Sequence, residues 1–252
     1  MRAVILAAGD GGRLGVHTAA VPKPLISLAG RPIVDYTLSA LHEAGVAEAV
    51  VVTGYREGQL VAALAASDYS PSLEFVSNPR FHQGASLSLR AARPHCGDEP
   101  FLLVMSDHLL SVELIGGLRK VEDAGRCFVA ADFATRDHAY TEEATKLAVD
   151  GSGPDSLVTA IGKHLARWSA LDTGAFLLTP EVWDAVDAAP EDCELSVIFS
   201  ELAARRRLFA ADVSGAFWYD IDTADDLAAA SRLVRDHGRA DGPHSTRPAF
   251  RP

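Results

Sequence analysis

Short apolar runs rich in β-branched residues alternate with amphipathic segments along the first half of the chain. Residues 3–8, 49–53 and 101–105 are almost continuously apolar, as expected for strands that are buried on both faces of a sheet. Between the first two runs, apolar residues recur at helical spacing from Ile33 to Ala44, and Gly45 then supplies a stop signal. This alternation predicts a doubly wound α/β fold with a mostly parallel, Rossmann-like sheet.

The same criteria predict the remaining elements and one change of pattern. In the first half they add strands at 73–77 and 127–131 and helices at 57–66, 84–92 and 112–124. After residue 132, the apolar segments 146–149 and 157–161 flank a turn rich in Gly, which predicts a small antiparallel insertion in the second half. A strand at 175–178, helices at 181–188 and 195–205, strands at 208–213 and 217–221 and a final helix from Thr223 complete the prediction.

We therefore expect one domain over residues 1–236, with a first half at 1–132 and a second half at 133–236. Residues 237–252 are polar and rich in Gly and Pro, which predicts a disordered tail. No segment approaches the ~18 consecutive apolar residues of a membrane span, and the first apolar run is too short for a signal peptide. We expect no membrane partner.

Charge and cysteine content narrow the class of protein further. The chain has 34 acidic and 23 basic residues and a net charge of -11, which disfavours nucleic acid and anionic membranes as partners. The three cysteines, Cys96, Cys127 and Cys193, are far apart and show no metal-binding spacing, which indicates a reducing cytoplasm. The composition leaves a homo-oligomer open.

The first strand runs into a loop, residues 9–24, that we call the glycine loop. Gly9, Gly11 and Gly12 come directly before Arg13, and Lys23 lies between two prolines. Glycines let backbone amides approach a ligand closely, and the two cations can neutralise a triphosphate. The alternative is a mobile surface loop with two solvated cations, but the position after a first strand favours phosphate binding. No Gly-Lys-Ser/Thr opens a helix, so this loop is not a P-loop.

Acidic residues lie where an open α/β sheet binds its ligands. Asp107 follows the strand at 101–105, and carboxyl ends of parallel strands line the binding crevice. Asp220 and Asp222 form a second acidic pair near the carboxyl terminus. Mg²⁺ takes one or two carboxylates together with phosphate oxygens, so Asp107 and one partner suffice for a metal site. Asp107 as a helix N-cap is the alternative.

Two lysines, Lys146 and Lys163, lie on or beside predicted strands of the second half. Long cations are unusual there unless they face an anion, although an exposed strand lysine is an equally good interpretation of either one alone.

These motifs resemble a known superfamily. The first resembles the signature of nucleoside-diphosphate-sugar pyrophosphorylases, with Gly12 in place of the usual Thr or Ser, and runs Leu6-Ala7-Ala8-Gly9-Asp10-Gly11-Gly12-Arg13-Leu14, then Pro22-Lys23-Pro24-Leu25. Four further motifs resemble CTP:inositol-1-phosphate cytidylyltransferases: Ser106-Asp107-His108-Leu109-Leu110-Ser111, Glu143-Ala144-Thr145-Lys146, Asp172-Thr173-Gly174 and Trp218-Tyr219-Asp220-Ile221-Asp222-Thr223. Phosphonate and phosphocholine cytidylyltransferases share much of this set, so the acceptor stays open.

The resemblance implies an NTP-dependent nucleotidyltransferase, with CTP favoured, Mg²⁺ as cofactor and a small phosphorylated or phosphonylated acceptor. It assigns the first half to the NTP and the second to the acceptor. It selects Asp220 over Asp222 as the partner of Asp107 at the metal, and it places Lys163 at the attacked α-phosphate. The implied triphosphate cations are Arg13 and Lys23, and the implied substrate-binding residues are Leu6, Ala8, Gly9, Gly11, Gly12, Ser86, Lys146, Asp172, Thr173 and Gly174.

Two other hypotheses remain at this point. One is the same reaction with a sugar-1-phosphate or phosphocholine and another NTP. The other is a catalytically silent nucleotide-sugar sensor, because a fold does not determine a function. The retention of Arg13, Lys23, Asp107, Lys146, Lys163 and Asp220 together favours an enzyme.

Overall fold

Within the part of the chain that the structure describes, nine strands form one central sheet, and two short ribbons stand beside it. The computed structural model describes residues 1–66, 71–121, 125–134, 138–151 and 155–240. The strands are β1 Arg2–Leu6, β2 Ser27–Leu28, β3 Arg31–Pro32, β4 Glu48–Thr53, β5 Ser72–Ser77, β6 Phe101–Met105, β7 His108–Leu110, β8 Cys127–Asp132, β9 Lys146–Asp150, β10 Ser156–Gly162, β11 Ala170–Leu178, β12 Leu208–Asp212 and β13 Trp218–Asp220. The α-helices are α1 Ile33–Glu43, α2 Glu57–Ala65, α3 Ser86–Cys96, α4 Val112–Arg119, α5 His138–Glu143, α6 Val182–Ala188, α7 Leu195–Ala204 and α8 Ala224–Ala240.

The sheet order is β5-β4-β1-β6-β11-β8-β12-β10-β9. Strands β5, β4, β1 and β6 are parallel neighbours, as are β8 and β12, whereas β11 and β10 run against their neighbours. Seven of the nine strands therefore point the same way. The predicted α/β class with a mostly parallel sheet and an antiparallel element in the second half is confirmed.

Alternation along β1 explains why helices cover both faces. Val4 and Leu6 belong to the apolar cluster that α3, α6 and α7 complete, while Ala3 and Ile5 belong to the cluster completed by α1, α2 and α4. Successive side chains of a strand point to opposite faces, so an uninterrupted apolar run needs cover on each side. The sheet and its two helical layers follow from that requirement.

The carboxyl-terminal helix α8 packs near the glycine loop. Leu227 and Ala230 of α8 share a third apolar cluster with Leu14 and Ile26 of the segment after β1. The helix begins with a capping box, in which the Thr223 amide and hydroxyl both donate to the Asp226 carboxylate at 2.7 Å. Helix α8 therefore packs against the segment that follows β1.

Several boundaries differ from the sequence prediction, most of them by one or two residues. Strand β11 begins at Ala170 rather than 175, and its pairing with β8 shifts register between Asp172 and Phe176. Helix α4 ends at Arg119, and residues 122–124 of its predicted extension lie outside the described residues. Helix α8 continues to Ala240, so residues 237–240 of the predicted tail are helical, while 241–252 lie outside the described part.

The predicted hairpin of β9 and β10 is present, with Lys146 opposite Gly162 and Asp150 opposite Leu157. Residues 152–154 of its turn lie outside the described ranges. The beginning of β9 also pairs with the beginning of β11, where Lys146 is opposite Leu171. Across the described helices, none is both long enough and apolar enough to cross a membrane.

Candidate functional site

The ribbon of β7 and β13 brings two distant acidic segments together. Asp220 is the register partner of His108, and the Ile221 amide donates to the Asp107 carbonyl at 3.2 Å. One ligand atom from each of Asp107, His108 and Asp220 lies within 4.8 Å of the others. The predicted convergence of Asp107 and Asp220 is thus seen in the geometry, with a histidine between them.

His108 is the residue of this group that the sequence analysis missed. Its Nδ1 lies 2.9 Å from Asp107 Oδ1 and 3.6 Å from Asp220 Oδ1. Burial opposes its positive charge, but Asp220 and Asp107 outweigh burial and raise its pKa to about 9. A single histidine cannot match a metal-binding motif, which is recognised by the spacing of several ligands. The sequence feature that could have identified His108 is its position directly after Asp107, near the end of a buried strand.

Two cations of the glycine loop join the same group through carboxylates. The buried Lys23 ammonium lies 2.7 Å from Asp107 Oδ2 and 3.0 Å from Asp222 Oδ1. The Arg13 guanidinium lies 2.7 Å from Asp222 Oδ2. Asp222, which the resemblance set aside in favour of Asp220, therefore pairs with both cations. We call these six residues, Arg13, Lys23, Asp107, His108, Asp220 and Asp222, the ionic centre.

Electrostatics within the ionic centre follow from burial and proximity. Burial alone would raise the pKa of Asp107, but the Lys23 ammonium and His108 overcome it and hold the pKa well below its usual range. Burial, reinforced by Asp107 and Asp222, raises the pKa of Asp220 to about 6 despite His108 and Lys23. Carboxylates that crowd one another in this way suit a divalent cation, and Asp107 and Asp220 offer carboxylate oxygens for one. His108 is protonated at neutral pH, so its ring could join them as a ligand only after losing that proton.

The glycine loop is wound against Lys23. Gly11 has φ of 63°, and a Cβ on it would lie 2.9 Å from the Lys23 Cβ, so this position requires glycine. The Asp10 carboxylate accepts from the Gly12 amide at 3.1 Å at the start of a 3-10 turn over Gly12–His17. A Cβ on Gly9 would meet nothing within 4 Å, so the space beside Gly9 is open.

Leu6 and Ala8, which precede the loop, have buried side chains. Both belong to one of the two main apolar clusters, so only their backbone groups are candidates for ligand contact.

Residues 172–174 form a bulge within β11, which we call the 172–174 turn, and this bulge lies directly against His108. Gly174 has φ of 79°, and a Cβ on it would lie 2.4 Å from the His108 ring. The Asp172 carboxylate accepts from the Gly174 amide at 2.8 Å, and burial raises the pKa of Asp172 to about 6. The Thr173 hydroxyl donates to the Ala130 carbonyl at 3.0 Å inside the core, so its side chain points away from the turn's surface.

Lys146 and Lys163 are in contact at the β9–β10 hairpin, where the side chain of Lys146 binds the backbone of Lys163. The Lys146 ammonium is buried and donates to the Lys163 carbonyl at 2.8 Å and the Glu142 carbonyl at 3.3 Å. The Asp172 amide donates to the Thr145 carbonyl at 2.9 Å, which joins this cluster to the 172–174 turn. The Lys163 side chain is exposed. The structure therefore brings Lys146 beside the turn and leaves the Lys163 ammonium on the surface.

Ser86 lies apart from these residues. Its side chain is fully buried, and its hydroxyl donates to the Glu191 carbonyl at 2.7 Å and accepts from the Cys193 amide at 3.1 Å. The hydroxyl thus fastens the start of α3 to residues 191–193. Among the described residues, the hydroxyl makes no hydrogen bond to the ionic centre.

We expect folding stability to fall as pH rises from 6.5 to 9. His108 has a pKa of about 9 against an ordinary 6.5, so its contribution is complete below pH 6.5 and is lost through pH 9. The loss should be on the order of 2–3 kcal/mol. Thermal unfolding in metal-free buffer measures it, with His108→Gln as the comparison. Equal slopes for the two proteins would contradict the expectation.

The sequence of this chain is similar to those of known proteins. Residues 3–205 match the family described as the MobA-like NTP transferase domain. The chain is 33% identical over 235 residues to the bifunctional IPC transferase and DIPP synthase of Thermococcus kodakarensis, covering 92% of this chain and 50% of that protein. It is also 33% identical over 236 residues to the protein of the same description from Archaeoglobus fulgidus, covering 93% and 44%. The chain thus spans about half the length of these curated relatives.

The fold is also seen in solved structures, of which two are compared with this chain. The inositol-1-phosphate CTP transferase from T. maritima superposes with a TM-score of 0.78 at 24% identity, covering 93% of this chain and 94% of that one. UDP-glucose pyrophosphorylase complexed with UDP-glucose gives a TM-score of 0.77 at 16% identity, covering 93% and 98%. Since the family match extends over most of the chain, from β1 into the residues that follow α7, this protein belongs to the family of MobA-like NTP transferase domains.

Proposed function

We propose that this protein transfers CMP from CTP, with Mg²⁺, to a small phosphorylated alcohol such as inositol-1-phosphate, or to a phosphonate of similar size. Pyrophosphate is the second product. The observation that carries the proposal is the ionic centre. There, Asp107 before β7 and Asp222 after β13 pair with the cations of the glycine loop, and His108 contacts the 172–174 turn. The curated relatives named as IPC transferases favour CTP and an inositol phosphate.

The reaction requires no general base from the protein. A phosphate monoester has a second pKa of about 6, so its oxygen is ionised at neutral pH and can attack directly. An acceptor oxygen forms a bond to the α-phosphorus of CTP while the bond to the bridging oxygen breaks, and pyrophosphate leaves with that electron pair. The protein's part is to bring two polyanions together and to stabilise charge at the α-phosphorus.

The site residues divide this work. Arg13 and Lys23 bind the triphosphate, where phosphate oxygens compete with Asp222 for the same donors. The open side of Gly9 lets backbone amides approach the phosphates. Asp107 and Asp220 are the residues that would hold Mg²⁺, which neutralises charge on phosphate oxygens when it is bound.

On the acceptor side, Lys146 lies beside the 172–174 turn and contacts the acceptor phosphate, and the exposed Lys163 side chain reaches the α-phosphate. We retain the sequence-based expectation that the reaction takes place in the cytoplasm.

A panel of nucleotides and acceptors tests the function. CTP, UTP, GTP and dTTP are each combined with inositol-1-phosphate, a short phosphonate, phosphocholine and glucose-1-phosphate, and pyrophosphate release is measured with Asp107→Asn as background. We expect release with CTP and with inositol-1-phosphate or the phosphonate. Product only from UTP or dTTP with glucose-1-phosphate would establish the sugar-1-phosphate alternative, and no product from any pair would support a silent sensor.

The two lysines should give different kinetic signatures. Lys146→Ala should mainly raise the KM for the acceptor, because a phosphate contact present before and during the reaction is uniform binding. Lys163→Ala should mainly lower kcat, because charge at the α-phosphorus grows in the transition state. One lost contact to a charged group costs about 1.5–3 kcal/mol, which corresponds to roughly tenfold to a hundredfold. Steady-state kinetics with each substrate varied separately measure both, and identical profiles would contradict this division.

Lys146 needs one control that Lys163 does not. Its buried ammonium satisfies backbone carbonyls, so Lys146→Ala should also lower the melting temperature, whereas the exposed Lys163→Ala should not. Measuring kcat and KM well below both melting temperatures separates the two effects.

A further inference from the structure

Residues 54–56, between β4 and α2, contact the glycine loop and the residue just before it. The Tyr55 amide donates to the Ala8 carbonyl at 2.9 Å, at the end of the first strand. The Tyr55 hydroxyl donates to the Thr18 carbonyl at 3.2 Å, and the Arg56 guanidinium donates to the Ala19 carbonyl at 2.5 Å. One short segment thus holds the loop where it begins and again about ten residues further along.

The three residues of this segment are fitted to that position. A Cβ on Gly54 would lie 2.8 Å from the Ala8 carbonyl oxygen, so only glycine lets the two backbones approach. Arg56 has φ of 49°, a left-handed conformation that costs energy for any residue with a side chain. Its guanidinium also donates to the Tyr55 hydroxyl at 3.1 Å, so the two side chains act together.

Contacts inside the loop carry this support to its glycines. The buried Thr18 hydroxyl donates to the carbonyls of Gly15 at 3.2 Å and Gly11 at 3.4 Å. Gly11 in turn packs against Lys23 of the ionic centre. A displacement of Thr18 would therefore move the backbone beside Gly11 and the cation that contacts it.

We propose that Tyr55 and Arg56 are positioning residues that clamp the glycine loop in the geometry that receives a nucleoside triphosphate. They act through the loop backbone rather than by touching the nucleotide. The choice of CTP as the ligand rests on the function proposed above, whereas the clamp itself rests on the contacts of Tyr55 and Arg56 with the loop.

Two variants each delete contacts of the clamp while the protein should stay folded. Tyr55→Phe deletes only the hydroxyl and keeps the ring that packs edge-on against Phe81. Arg56→Gly removes the guanidinium and also relieves the left-handed backbone, so this variant should be no less stable than the parent. Tyr36→Phe is the matched control, because the Tyr36 hydroxyl makes the same kind of bond to a carbonyl, that of Leu28 at 2.8 Å, outside the glycine loop.

Two measurements are made on each protein. The first is the KM for CTP and for the acceptor, with Mg²⁺ present. We expect Tyr55→Phe and Arg56→Gly each to raise the KM for CTP about fivefold, with the acceptor KM and kcat within about twofold of the parent. The second is the rate of tryptic cleavage after Arg13, which should rise by a similar factor because the loop opens more often. Tyr36→Phe should change neither.

The outcomes are distinguishable. Unchanged CTP KM and unchanged cleavage after Arg13 in both variants would overturn the clamp. Equal rises in both KM values together with a lowered melting temperature would overturn it too, because they indicate general destabilisation. If the parent protein turns over no CTP, the proposed function fails, and the cleavage rates after Arg13 still decide whether the clamp exists.

Discussion

Asp107→Asn should lower turnover at least a hundredfold while the protein stays folded. The change removes the charge of a carboxylate that we assign to Mg²⁺, which is worth on the order of 3 kcal/mol or more in the transition state. The fold should survive because each cation keeps a carboxylate: Lys23 keeps Asp222, and His108 stays near Asp220. The measurement is kcat over a range of Mg²⁺ concentrations, together with the melting temperature.

Two further variants calibrate this result. Asp187→Asn removes an exposed carboxylate of α6 that pairs with Arg93 of α3, and it should leave turnover unchanged. Asp222→Asn releases Lys23 and Arg13 rather than a metal ligand, so it should mainly change the KM for CTP. Near-parental turnover of Asp107→Asn at limiting Mg²⁺ would show that the metal is held elsewhere.

Lys23→Met should cause the largest loss of stability among substitutions in the site. The ammonium is buried between Asp107 and Asp222, and removing one partner of a buried pair costs about 3–5 kcal/mol. Without it, the carboxylates of Asp107, Asp220 and Asp222 keep only the cations of His108 and Arg13 to balance them. This corresponds to a melting temperature lower by about 10 °C for a domain of this size. CTP turnover should also fall, since the variant lacks a triphosphate cation.

The variant should recover stability under two conditions. Its crowded carboxylates will bind protons more readily, so the deficit should shrink as pH falls towards 5. Added Mg²⁺ should raise its melting temperature more than that of the parent, because a divalent cation can replace the missing charge. Lys120→Met, at an exposed lysine after α4, should change stability by less than about 0.5 kcal/mol. A parental melting temperature for Lys23→Met would contradict the pairing seen here.

The continuous apolar strands were predictable because a strand that is buried on both faces needs an apolar residue at nearly every position. Strand β6 has the bounds expected from the sequence, and β4 begins one residue earlier than expected. The start of β11 was missed because it contains Asp172 and Gly174, and a strand that bulges around a buried carboxylate carries no period-two signal. The local hydrophobic pattern therefore predicted the buried strands, but it failed where polar residues interrupt a strand.

The sequence singled out some residues of the candidate site but could not predict how they pair. Motif resemblance drew attention to Asp107 and Asp220, whereas the involvement of His108 and Asp222 depends on how β13 aligns with β7. That register is a long-range fact, since it joins residues more than a hundred positions apart. Tyr55 and Arg56 were missed for a different reason. Their side chains donate to backbone carbonyls, and a motif of side chains does not reveal such bonds.

The β7–β13 ribbon also determines when the proposed metal site can form during synthesis of the chain. Asp107 leaves the ribosome long before Asp220, so the nascent chain can complete most of the central sheet without its paired carboxylates. The ribbon can close only after β13 has emerged and aligned against β7, which is a contact of high sequence separation and hence of late formation. Premature termination before residue 218 would therefore remove Asp220 from the proposed metal site, although among the described residues every strand of the nine-stranded sheet precedes that position.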